Sequence, residues 1–109
     1  MPTYNKLVRD KIPQIIKESG KSCTTSVLSH EDYVIELKKK SREELQEYLE
    51  TRDEVSALEE LADVLEVLYA LANMHGASIE DLEKIRQAKA ADRGTFDQKL
   101  FLMEVRESV

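Results

Sequence analysis

The sequence predicts an all-α helical bundle, a single domain spanning residues 1–109, and three observations carry that reading. Only 3 Gly and 2 Pro are present, too few for the turns of a β-sandwich or barrel. Apolar residues recur at helical spacing from Tyr33 to Leu71. Serine, threonine and glycine punctuate those runs where helices start and stop. A charged fraction of 35% beside 41% apolar residues suits a soluble globular chain. A compact domain of this length buries roughly 65% of the surface its extended chain exposes.

In chain order, Lys6 to Ser19 carries Leu7, Val8, Ile12, Ile15 and Ile16 at mixed helical spacings. Pro13 is tolerable there only in a first turn, and Gly20 is a good stop. Lys21 to Leu28 is rich in Ser and Thr and reads as a connection. Ser29 with Asp32 resembles a capping box and opens a helix to about Glu50; Thr51 with Glu54 opens a second, ending near His75-Gly76. Ser78 with Asp81 begins a third, which Gly94 ends after Arg93. The tail from Phe96 to Val109 has no assignable periodicity. A helix pair with this much apolar surface needs a partner chain to cover it.

Cys23 is the single cysteine, which excludes an internal disulfide framework and a thiolate zinc site and fits a reducing compartment. No apolar run approaches membrane-spanning length and the opening residues are unlike a signal peptide, so a cytoplasmic protein is expected. The net charge of -6 argues against a general nucleic-acid binder. Its distribution says more. Residues 1–28 carry +3, residues 29–83 carry -11 and residues 84–109 carry +2.

Most of the central acids read as a solvated face, partnered by Lys38, Lys39, Lys40 and Arg42. Glu44 departs from that pattern. At 100° per residue it falls about 20° from Leu37, inside the arc of Tyr33, Val34, Leu37, Leu45, Tyr48 and Leu49. Glu47 falls on the border of this arc. In the next helix Glu60 heads the stripe of Val67 and Leu71, with Asp63 one turn on. Each helix therefore carries an i,i+3 acidic pair that faces or borders the interior. An unpaired carboxylate there costs several kcal/mol, so Glu44 requires a cation or a strong donor.

Four carboxylates around one point repel strongly, and a hard divalent ion resolves this without protonation. Oxygen-only ligation favours Mg²⁺ or Mn²⁺, with Ca²⁺ also suitable. Neither His30 nor His75 follows a Glu by three, as a di-iron bundle requires. EF-hand, phosphate-loop and dinucleotide glycine motifs are absent. The basic ends, with Lys6, Arg9 and Lys11 at one and Lys89 and Arg93 at the other, suit a polyanionic substrate. For Lys89 and Arg93 the alternative is complementation of a helix C-terminus.

Glu44-Leu-Gln-Glu47, twelve residues, then Glu60-Leu-Ala-Asp63 resembles the E-x-x-E…E-x-x-D signature of MazG-type nucleoside triphosphate pyrophosphohydrolases. These belong to the all-α NTP pyrophosphatase superfamily. The opening Tyr4-Asn5-Lys6-Leu7-Val8-Arg9-Asp10-Lys11-Ile12-Pro13 and the stretch Lys89 to Phe96 resemble a small subgroup often labelled phosphoribosyl-ATP pyrophosphohydrolase-like. The resemblance implies hydrolysis between the α- and β-phosphates of a nucleotide, giving a monophosphate and pyrophosphate. It implies that Glu44, Glu47, Glu60 and Asp63 hold Mg²⁺ and carry catalysis. Lys6, Arg9, Lys11, Lys89 and Arg93 become candidates for the outer phosphates, and the expected assembly is a homodimer or homotetramer. The alternative is a non-catalytic nucleotide- or metal-binding helical module.

Overall fold

A computed structural model describes residues 4–107; the first three residues and the last two lie outside it. Among the described residues the chain is all-helical, without strands. α1 spans Ile12–Glu18, α2 His30–Leu49, α3 Glu54–Met74 and α4 Ile79–Arg93. α2 and α3 pack on each other along the molecule, and α4 packs on α3. α1 packs on no other helix. Among the described residues no helix is long and apolar enough to cross a membrane.

The helix boundaries follow from local chemistry. Pro13 sits in the first turn of α1, where its missing N–H costs nothing. Ser29 Oγ accepts from Asp32 N at 3.2 Å, half of the expected box. At α3 the expected cap moves. Asp53, not Thr51, is the N-cap, and its carboxylate accepts both the backbone N–H and the hydroxyl of Ser56 at 2.9 Å. Thr51 instead donates its hydroxyl to Tyr48 O at 2.6 Å, closing the end of α2. Two caps compete within three residues, and the threonine serves the helix behind it.

The end of α3 is a Schellman motif. Ala77 N donates to Ala72 O and Gly76 N to Asn73 O, with Gly76 at φ +80°, where a side chain would be strained. Ser78 and Asp81 form the full reciprocal capping box of α4. Replacing Ser78 with Ala should lower the unfolding free energy by about 1 kcal/mol, read as an earlier denaturant midpoint. After Gly94 the described residues form no further helix.

The interior is thin. Among the described residues only Leu37, Val67 and Ala72 are buried apolar residues. The accessible surface is 10253 Å², against about 6,200 Å² for a compact monomer of this mass. About 43% of the extended-chain surface is buried, well below the roughly 65% expected of a compact domain. The radius of gyration, 19.1 Å, likewise exceeds the ~13 Å of a compact chain.

The exposed surface is apolar and patterned. Leu58, Leu61, Leu65 and Leu68 repeat at a 3-4-3 spacing along one face of α3 and are 41–68% exposed. Leu45 and Leu49, which helical periodicity places on the inward arc of α2, are also exposed, as are Ile79, Leu82 and Ile85 on α4. Periodicity places Leu45 and Leu49 on an apolar arc, yet within a single chain they stay exposed.

Candidate metal centre

The packed pair α2 and α3 brings the acids together. Glu44 is the only buried charged residue among those described, 8% exposed, as its angular position predicts. Glu47 lies one turn further along α2 and is exposed; Glu60, on α3, is half-buried. One carboxylate oxygen from each of Glu44, Glu47 and Glu60 lies within 4.8 Å of the others. Opposite oxygen ligands of a hard divalent ion stand about 4–5 Å apart, so the spacing suits a single ion.

The hydrogen bonding makes the cluster unusual. Lys40 Nζ lies 3.4 Å from Glu44 Oε1, one turn earlier on α2, and supplies the cation that a buried Glu44 requires. Glu44 Oε2 and Glu60 Oε2 are buried with no hydrogen-bond partner. Two orphaned buried carboxylate oxygens in one cluster are costly, and a cation satisfies both at once. The donor set, all oxygen and all carboxylate, fits Mg²⁺ or Mn²⁺.

Asp63, the fourth expected ligand, is engaged elsewhere. Arg9 Nη2 donates to its Oδ1 at 2.6 Å, and Arg9 Nη1 lies 3.9 Å from Glu66 Oε1. Arg9 and Lys6 also line a cleft of 250 Å³ together with Lys40, Glu44, Asp63, Val8 and Ile12. Three cations and two of the acids thus share one cleft. Lys11, at the N-cap of α1, does not line it, nor do Lys89 and Arg93 on exposed α4. Arg93 Nε lies 3.9 Å from Asp92 instead. A larger hollow of 320 Å³ lies at the α2–α3 turn, where Asp53 is already committed to capping.

Lys40 is the residue that sequence reasoning missed as part of the site. Its signal was present: it precedes Glu44 by four, one helical turn. Within the run Lys38-Lys39-Lys40 nothing but that register singles it out.

Burial, and next the charge of Glu47, push the Glu44 carboxyl above its ordinary value of 4.5; Lys40 opposes the shift. The folded state therefore binds this proton more tightly than the unfolded one. Its contribution to stability is complete below the unfolded value and is lost as pH rises through the raised folded one. Without divalent ions, the melting temperature should fall as pH climbs from about 4.5 through that range. The fall should vanish in Glu44→Gln, measured by circular dichroism across a pH series.

Compared with known protein families, with curated proteins and with solved structures, the chain matches none.

Proposed function

We propose that this chain is a cytoplasmic, Mg²⁺-dependent nucleotide pyrophosphohydrolase, cutting a nucleoside triphosphate or related nucleotide between its α- and β-phosphates. The observation that carries the reading is the pair of buried, unpartnered oxygens on Glu44 and Glu60, set within one cluster with Glu47. The E-x-x-E…E-x-x-D spacing, which resembles the MazG-type signature, supports it from the sequence side.

Glu44, Glu47 and Glu60 would hold the ion, with Asp63 one turn beyond Glu60 as the fourth carboxylate. A bound Mg²⁺ or Mn²⁺ supplies charge neutralisation and Lewis acidity at the α-phosphate. Lys6 and Arg9 attract the β- and γ-phosphates across the cleft. One carboxylate of the set takes the proton of the attacking water, and the pyrophosphate leaves toward the cations. Val8 and Ile12 contribute apolar surface to the cleft.

The working form is a homodimer or homotetramer. A single chain leaves about 4,000 Å² more surface exposed than a compact monomer would, on the scale of an obligate interface. The leucine stripe of α3 is the natural seam between copies.

A second reading is a non-catalytic helical module that binds nucleotide or metal. The engagement of Asp63 by Arg9 favours it, because one of the four carboxylates is already neutralised. A nucleotide panel with Mg²⁺, its products resolved by phosphorus NMR, separates the two. Pyrophosphate and a monophosphate support hydrolysis; orthophosphate, or no turnover, sinks it. If the cluster binds metal, Mg²⁺ at 100 times its Kd should add about 2.7 kcal/mol to stability.

A further inference from the structure

The Arg9–Asp63 bond differs from every other side-chain hydrogen bond among the described residues. The others join residues no more than four apart, whereas this one bridges 54 positions. Arg9 belongs to residues 4–11, which form no helix, and α1 beyond them packs on no other helix. The guanidinium is the side-chain tie from this segment to α3.

We infer that Arg9 is an exchangeable counter-cation: it neutralises Asp63 while the carboxylate cluster holds no divalent ion, and is released toward a polyphosphate ligand when an ion takes Asp63. The inference rests on the metal reading of the cluster. Asp63 follows Glu60 by one turn, yet its carboxylate points to Arg9 while Glu44 and Glu60 each keep a buried oxygen without a partner. The three acids within reach of one ion are Glu44, Glu47 and Glu60, and Asp63 is not among them.

The pair is suited to exchange. Its side chains are 57% and 40% exposed, and ion pairs in water are weak and easily opened. A divalent ion at Asp63 and the guanidinium repel at close range, and occupancy by one expels the other. The coupling is reciprocal: whatever holds Arg9 away from Asp63 tightens the ion by the same factor. Tied to Asp63, Arg9 offers an anion little net charge. Released, it remains in the cleft beside Lys6 and presents a planar fork to phosphate oxygens. Ion and polyphosphate therefore each favour the binding of the other.

Manganese titration of the full chain, following the electron paramagnetic resonance signal of free Mn²⁺, tests the exchange in Arg9→Ala and Arg9→Gln. Both should bind Mn²⁺ about two- to five-fold more tightly than wild type, the worth of an exposed ion pair. Backbone amide exchange of residues 5–11 should speed up in wild type when Mn²⁺ is added. Asp63→Asn should show the fast exchange with no ion present, which reports the tie from its other side. With Mn²⁺ saturating, inorganic tripolyphosphate should bind Arg9→Ala about tenfold more weakly by calorimetry, the loss of a charge-assisted hydrogen bond. Equal or weaker Mn²⁺ binding by both Arg9 variants, with exchange of residues 5–11 unmoved, would overturn the inference and leave the metal centre standing. Absence of Mn²⁺ binding in wild type would overturn both.

Discussion

Glu44→Gln and Glu60→Gln should each lower pyrophosphate release by about a thousandfold, because the several kcal/mol supplied by a bound metal is lost with its ligand. Each change removes one of the two buried carboxylate oxygens without a hydrogen-bond partner among the described residues. Glutamine keeps the shape and one acceptor oxygen, so packing around Leu37 and Val67 is preserved and helicity should match wild type. The informative comparison is with metal. Mg²⁺ should raise the melting temperature of wild type and leave both variants unmoved, as calorimetric scans with and without the ion would record. A variant that keeps wild-type turnover would remove its residue from the site.

The second large effect concerns assembly. Leu61→Glu combined with Leu65→Glu places two charges in the centre of the exposed leucine stripe of α3. Burying a leucine fully contributes about 1.5–3 kcal/mol, and the pair is lost from each copy. The expected result is dissociation to single chains by analytical ultracentrifugation, with a much lower melting temperature. Instability should accompany dissociation because the isolated chain buries so little of its own surface. An unchanged sedimentation coefficient would show that the stripe is not the seam. The double change on the exposed face of α4, Leu82→Glu with Ile85→Glu, would then be the next test.

Features that depend on residues within a turn or two of one another were legible in the sequence. The interior position of Glu44 follows from its angle to Leu37, and the Ser78–Asp81 box from a spacing of three. The misplaced cap shows where such reading fails. Thr51 with Glu54 and Asp53 with Ser56 are both acceptable starts, and the hydroxyl of Thr51 is drawn backward to Tyr48 O. Long-range pairing was not legible. Periodicity assigns Arg9 and Asp63 to a basic end and an acidic middle, but nothing in either segment specifies that the two meet. Helical spacing also identifies Leu61 and Leu65 as apolar without saying which chain covers them.

The carboxylate cluster has a short construction path. Glu44 and Glu47 end one helix, Glu60 and Asp63 begin the next, and only twelve residues separate Glu47 from Glu60. A loop near this length closes in roughly 10–100 ns, and its entropic cost grows only slowly with length. Three of the four acids therefore meet as soon as α2 and α3 meet, before the N-terminal segment or any second copy is in place. The same early encounter brings like charges together, so electrostatic repulsion opposes hairpin closure. An ion present during folding would reverse the sign of that step, turning a repulsive contact into an attractive one. Refolding of this protein should accordingly accelerate with divalent concentration, its kinetics recording the metal earlier than its activity does.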